Sequence, residues 1–338
     1  MTKKNIILID APSSNEDLEF VHGIEEKTNT KWEVKYYVSN DRSSKIKEVF
    51  RYCKYFYYPL LIFIYKNKYD KIVAWQQFYG LLLAFYCKLF RVKKTFSLIV
   101  MTFIYKRKSG WLGKIYYLFI KFVLNSNYID KIIVFSQNEV NYYFGLFPCI
   151  DKFVYVPLGI EKMTNLQIDN KLRQQKYILS VGRSNRDYRF LYETLKDTEF
   201  QVKILSNSVN LLPTDNIKIH TNVFGQEMYH LLNNCFCVVI PLADPEISSG
   251  QLVLLQAMQL GKPCIVTESK GISDYITNDY NGIIIKKEKE ALIKALQKLF
   301  SNDNLYIIMS QNAILEYEKK YSLKILGNNI GNIIKSIP

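Results

Sequence analysis

The sequence predicts an α/β protein made of two doubly wound parallel-sheet (Rossmann-like) domains facing a cleft. Three observations predict it. A chain of 338 residues holds two domains of ordinary size. Short runs rich in Ile, Val and Leu alternate with longer helical stretches, the pattern of a parallel sheet wrapped in helices. The alternation breaks once, at the polar stretch "GIEKMTNLQIDNKLRQQK" (159–176), and then restarts.

The first half gives strands at "NIILIDA" (5–11), "WEVKYYV" (32–38), "DKIVAW" (70–75), "TFSLIVMTF" (95–103), "DKIIVFS" (130–136) and "KFVYVPL" (152–158). Helices are expected between them at 44–66, 76–91, 110–127 and 138–146. The second half gives strands at "YILSVGR" (177–183), "QVKILS" (201–206), "NIKIHT" (216–221), "CFCVVIPL" (235–242), "PCIVTES" (263–269) and "NGIIIKK" (281–287). The expected boundaries are a first domain at 1–160, a linker at 161–176, a second domain at 177–310, and a terminal helix at 311–338 packing back toward the first domain. No repeat of solenoid period is present.

Hydrophobic content of 49% with 22% charged residues belongs to a globular chain. The longest apolar runs, "YFYYPLLIFIY" (55–65) and "YGLLLAFY" (79–86), fall short of the roughly 20 residues that span a bilayer. The start, "MTKKNIILID", reads as a first strand and not as a signal peptide. Cysteines 53, 87, 149, 235, 237 and 264 have neither the spacing of a zinc site nor that of a disulfide framework. Cys235 and Cys237 are expected on one face of a strand, and the compartment is read as reducing and cytoplasmic.

Charge is unevenly placed. Residues 42–130 hold 17 Lys and Arg against 3 Asp and Glu, an excess equal to the net charge of the whole chain, +14. The same segment is loaded with Tyr, Phe and Trp. An anionic membrane face suits that mixture, through attraction to headgroups and aromatic insertion at the interface. A general compositional taste for Lys and Tyr is the plainer alternative.

Candidate binding residues cluster at strand ends of the second half. After "CFCVVIPL" come Asp244, Pro245, Glu246, Ile247, Ser248, Ser249 and Gly250, then a helix beginning near Gln251. Ser248 or Ser249 is expected to cap that helix, Gly250 to let a ligand approach the backbone, and the free N–H groups to meet an anionic oxygen. Gln256 lies seven residues, about two turns, after Ser249 and is expected on the same helix face. An amide there suits a vicinal diol such as a ribose; taken alone, it also reads as a helix-surface glutamine.

The stretch "QAMQLGKP" (256–263) resembles the signature of GT-B fold glycosyltransferases of the large family 4 type (glycosyl transferases group 1). That pattern has a glutamate, seven residues, a second glutamate, then Ala-Met and Gly-Lys-Pro. The second glutamate, which the resemblance assigns to the ribose of a nucleotide sugar, falls on Gln256. The first, assigned to the donor sugar, falls on Ser248, with Glu246 as the nearby substitute. "YILSVGRSNRDYRFL" (177–191) resembles the family's strand and Val-Gly-Arg turn. It implies that Arg183 meets the donor diphosphate, with Arg186 or Arg189 in place of the family's lysine, near Tyr188. Arg183 in a surface salt bridge is the alternative. Ser206, Asn207, Val223 and Phe224 match where the family lays the nucleobase, and Gly271 and Ile272 would place N–H groups near the donor. The family's amino-terminal histidine has no counterpart: His22, His220 and His230 read as structural. Thr102, Tyr105 and Lys106 occupy the expected loop, and no general base is named.

The resemblance implies an enzyme that moves a sugar from a nucleotide-sugar donor, bound by the second domain, to a saccharide acceptor bound by the first. It implies a retaining, metal-independent reaction with no cofactor, the nucleotide sugar being a co-substrate. The basic aromatic segment extends this to a lipid-linked acceptor at the inner membrane face, as in surface polysaccharide or capsule assembly. Loss of both carboxylates supports an alternative, a non-catalytic partner subunit of an active transferase. Nucleic-acid binding ranks last, because no recognised motif accompanies the charge. A sugar-nucleotide epimerase would carry carboxylates and histidines in the cleft, and the sequence shows none at the expected positions.

Overall fold

A computed structural model describes residues 3–10, 18–37, 45–148, 151–164 and 166–337, with backbone alone at 45–49 and 51. The expected strand ends at Ala11 and Val38, the helix start at 44 and Cys149 lie outside the described residues. The chain divides into two units, Met1–Val156 with Leu326–Pro338 (unit 1) and Pro157–Ile325 (unit 2).

Unit 1 contains β1 (Lys4–Ile9), α1 (Glu19–Thr28), β2 (Trp32–Tyr36), α2 (Lys45–Ile64), β3 (Tyr69–Ala74), α3 (Gln77–Leu89), β4 (Ser97–Val100), α4 (Gly110–Leu124), β5 (Lys131–Val134), α5 (Gln137–Leu146) and β6 (Phe153–Tyr155). Its six strands pair in parallel in the order β2-β1-β3-β4-β5-β6. Ile6, Leu8, Ile72, Leu98 and Ile132 enter one core with the buried side of α3 and α4. Gly80 on α3 permits close packing: a Cβ there would fall 2.6 Å from Val100.

Unit 2 continues with α6 (Asn170–Gln174), β7 (Ile178–Val181), α7 (Tyr188–Leu195), β8 (Val202–Leu205), β9 (Ile217–His220), α8 (Gly225–Asn234), β10 (Cys237–Ile240), α9 (Gln251–Gln259), β11 (Cys264–Thr267), β12 (Ile283–Ile285), α10 (Lys289–Ser301) and α11 (Asp303–Lys320). A last helix, α12 (Leu323–Lys335), carries the chain into unit 1, where Gly327 lies against the Phe20 carbonyl of α1. The second sheet is parallel throughout, in the order β12-β11-β10-β7-β8-β9. Successive strand residues point to opposite faces, so Val238 and Ile240 join α9, whereas Cys237 and Val239 join α7 and α10.

The predicted α/β architecture of two parallel sheets is the observed one. The chain leaves β7 toward β8 on one side and returns to β10 on the other. That reversal opens a crevice at the carboxyl ends of β7 and β10, where doubly wound sheets hold ligands. The polar stretch 159–176 contains α6 and is tied to unit 2: the Gln167 carbonyl accepts from Asn233 and Asn234. Cys235 does not share a strand face with Cys237. The strand begins only at Cys237, and Cys235 sits at the carboxyl cap of α8 on the other side of the sheet.

Candidate functional site

The loop after β7 is built around Gly182, whose φ of +137° suits glycine alone. A Cβ there would fall 2.6 Å from the Arg186 guanidinium, which lies across the glycine. Arg186 donates from Nε to the Val181 carbonyl (3.3 Å) and from Nη1 to that of Ser184 (2.8 Å). Burial lowers its pKa. Tyr188, where the family resemblance puts a lysine, is buried and donates its hydroxyl to the Gly182 carbonyl (2.6 Å). Burial pushes that phenol up to about 12. Arg186 and Tyr188 therefore brace the loop, while Arg189 is exposed on α7.

Arg183 is exposed, and its guanidinium stands over the ring of Phe224, 5.0 Å from the centroid. The structure thus brings together two predicted residues that lie 41 positions apart. Phe224 is half exposed at the amino end of α8, and Val223 packs into the core beside it. At the end of β8, Ser206 is buried against Ser208 (3.1 Å). Asn207 clasps Asn222, donating to its side chain (2.8 Å) and accepting from its N–H (2.7 Å).

Asn185, which sequence reasoning missed, joins this loop to the one after β10. With φ at +55°, it donates to the Asp244 carbonyl (2.8 Å) and to Ser249 Oγ (2.9 Å), and accepts from the Asp244 N–H (2.8 Å). The only signal in the sequence was an Asn in a strand-to-helix turn, a residue that tolerates positive φ. Lys287 was missed too. It donates to the Ala243 carbonyl (2.9 Å) and pairs with Asp187 (3.3 Å).

The expected serine cap of α9 is not there. Gly250 is the N-cap, with φ at +96°, and no side chain caps the helix. Ser248 Oγ instead accepts from Gln251 Nε2 (2.6 Å), and Ser249 Oγ accepts from Asn185. Because α9 begins at Gln251, Ser249 precedes the helix and shares no helical face with Gln256. The first turn carries no acidic residue, which leaves its N–H groups free for an anion. Gly271 packs on this turn so closely that a Cβ would fall 2.5 Å from Ser248 Oγ. Glu246, the candidate sugar reader, pairs with Lys270 (2.6 Å), both half exposed.

Gln256 is 7% exposed on α9, between core residues Leu255 and Ala257. Its amide makes no hydrogen bond to the protein among the described residues. Neither amide atom is among the fully buried, unpartnered side-chain atoms of the described residues, so the amide reaches water.

In unit 1, Thr102 donates to the Trp75 carbonyl (2.6 Å), Lys106 is exposed, and Tyr105 is buried in the core. His22 is exposed on α1, His230 faces Asp169 (3.8 Å), and His220 lies on β9.

Residues 197–316 match the family described as Glycosyl transferases group 1. An uncharacterized glycosyltransferase of Methanocaldococcus jannaschii is 21% identical over 194 residues, covering 48% of this chain and 54% of that protein. The chain thus spans about half the length of the curated relative it matches. Among solved structures, sucrose-phosphate synthase from Thermosynechococcus elongatus superposes with a TM-score of 0.72 at 13% identity, covering 99% of both chains. HepE from Anabaena, solved with UDP, superposes at 0.69 and 13% identity, over 98% of this chain and 100% of that one. The chain has the GT-B fold, and the segment that matches the group 1 glycosyltransferase family lies within unit 2.

Proposed function

We propose that the protein is a glycosyltransferase that takes a sugar from a nucleotide-sugar donor held at the carboxyl ends of β7 to β11. One observation carries the reading: Gln256, largely buried but with a water-reached amide that bonds to no described residue, sits on the helix whose amino end has no side-chain cap. In this reading the amide binds the ribose hydroxyls. The free N–H groups of α9 and the Arg183 guanidinium neutralise the diphosphate as it departs. Phe224 offers its ring to the base, with Ser206, Asn207 and Val223 beside it, and Ser248, Ser249, Gly250, Gln251 and Glu246 border the sugar. HepE has been solved with UDP-glucose, which supports a uridine donor here. Reaction with retention, and charge neutralisation by these groups without a metal, complete the proposal.

The proposed acceptor, bound by unit 1, is a lipid-linked saccharide of surface polysaccharide assembly, met at the cytoplasmic membrane face. No described helix is long and apolar enough to cross a membrane. α4 nevertheless exposes Trp111 (71%), Leu112, Ile115, Leu118 and Phe122, beside a groove of about 700 Å³. Lys88 and Lys121 line that groove, with the Lys88 ammonium 4.1 Å from the centre of the Phe122 ring. Apolar side chains ringed by cations suit an anionic lipid surface.

Incubation with UDP-, GDP- and ADP-sugars and a polyprenyl-diphosphate saccharide whose hydroxyl receives the sugar, with nucleotide release as the readout, tests the proposal. One nucleotide class should turn over, and Arg183→Ala should suppress it. Replacement of both family carboxylates, by Ser248 and Gln256, favours a non-catalytic partner subunit as the second reading. Donor binding without any release would select it.

A further inference from the structure

Unit 1 has a cavity of about 660 Å³ at the amino end of α4, lined by Tyr105, Arg107, Lys108, Lys114 and Gly145 among others. α4 begins at Gly110, with φ at +78°. Ser109 contributes no side-chain cap, and the first turn has no acidic residue. The preceding loop is pressed onto that turn: a Cβ on Gly113 would fall 2.1 Å from the Lys108 carbonyl. That contact holds the Lys108 backbone beside the first turn, with Arg107 the residue before it, and both side chains are exposed. None of the three cations pairs with a carboxylate among the described residues.

A second observation points to a ligand. Tyr105 is 4% exposed, and its hydroxyl has no hydrogen-bond partner. Its ring is held by stacking on Tyr116 (5.5 Å) and by the edge of Phe147 (5.3 Å). Its N–H already donates to the Tyr143 hydroxyl (3.1 Å). A fixed phenol with an unused donor, three cations without a carboxylate partner among the described residues and a bare helix end share one cavity, the Lys108 ammonium standing 5.4 Å from the centre of the Tyr116 ring. Its wall at Gly145 is open, since a Cβ there meets nothing within 4 Å.

We propose that this cavity binds a phosphate or diphosphate group of the acceptor. The acceptor role rests on the function proposed above; the anion site itself does not. The phenol donates to one phosphate oxygen, the amides of the first turn to another, and Arg107, Lys108 and Lys114 balance the charge. A lipid carried by that phosphate would run along the apolar face of the same helix.

The test is calorimetric titration of the full chain with inorganic pyrophosphate and with a short-chain alkyl diphosphate. It is done in an Arg183→Ala/Gln256→Ala background, which removes the proposed donor contacts. Tyr105→Phe should weaken both probes by about 5- to 10-fold with no loss of Tm, the effect of one hydrogen bond. Arg107→Ala/Lys114→Ala should weaken them by more than about 10-fold. Gly145→Leu, which fills the cavity on a helix, should abolish binding. Unchanged affinity in Tyr105→Phe and Gly145→Leu overturns the proposal. Vesicle sedimentation separates the sources. Tyr105→Phe should weaken binding to vesicles doped with a polyprenyl diphosphate and leave binding to phosphatidylglycerol vesicles intact. Equal loss on both overturns the assignment to an acceptor phosphate. If the chain binds pyrophosphate here but no nucleotide sugar, the function proposed above fails and the anion site stands.

Discussion

Replacing Gln256 by Leu should separate ligand response from stability. The side chain is 7% exposed, but its amide atoms are not among the fully buried, unpartnered atoms of the described residues, so water satisfies them in the free protein. An apolar group of similar shape therefore removes no hydrogen bond within the protein. The melting temperature of Gln256→Leu should stay within about 2–4 °C of the parent, the equivalent of about 1 kcal/mol for a unit of this size. The same change deletes the two hydrogen bonds proposed for the ribose. At about 0.5–1.5 kcal/mol each, their loss weakens the donor by roughly 5- to 150-fold. Gln256→Glu, which restores the family's carboxylate, should keep the ligand response. Thermal unfolding with and without a panel of nucleotide sugars reads both effects. An undiminished donor shift in Gln256→Leu removes the ribose assignment, and a ligand-free melting temperature lower by more than about 2–4 °C shows that the amide serves the fold instead.

Arg183→Ala should weaken nucleotide binding about 10-fold or more while leaving the melting temperature within a degree or so, because the guanidinium is exposed over the Phe224 ring and makes no ion pair among the described residues. Equal affinity by titration would remove it from the site. Gly271→Ala should destabilise unit 2 by about 1–3 kcal/mol, since the new methyl would lie 2.7 Å from Ser248 Cα; an unchanged denaturant midpoint would contradict the packing. His220 has a buried, unpartnered Nε2, and burial, followed by Lys203, holds its pKa below the usual 6.5. The unfolded chain then binds a proton that the folded one does not. Stability is therefore full above about 6.5 and falls as pH drops toward the folded pKa. His220→Asn should flatten that acid slope, and parallel slopes would refute it. Trp111→Glu/Leu118→Glu should abolish sedimentation with phosphatidylglycerol vesicles without lowering the melting temperature, as both residues are exposed. Retained sedimentation would remove α4 from the membrane reading.

The strands were legible because parallel strands buried on both faces read as unbroken apolar runs, as in "CVVI" of β10 and "III" of β12. Their ends were less legible. Cys235 and Leu242 continue the apolar run beyond the ladder, because the cap of α8 and the loop after β10 are buried as well. The start of α9 was misread for a related reason. A serine before a helix suggests a cap, but Gly250 in the left-handed region turns the chain so that both serines bond elsewhere. The pairing of Arg183 with Phe224 was foreseen only as two separate turns, since the sheet order that joins them is not written in either. Asn185 was invisible because its partners lie 59 and 64 positions away. Tyr105 was legible as a candidate by position, but its unpartnered hydroxyl belongs to the packing of Tyr116 and Phe147 around it.

The most direct measurement is a crystal structure soaked with the nucleotide sugar that gives the largest thermal shift. Ribose hydroxyls are expected within hydrogen-bond distance of Gln256, the diphosphate against the first amides of α9 and Arg183, and the base beside Phe224. A ligand bound elsewhere, or a Gln256 amide turned to the protein's own backbone, would remove the donor site from this crevice.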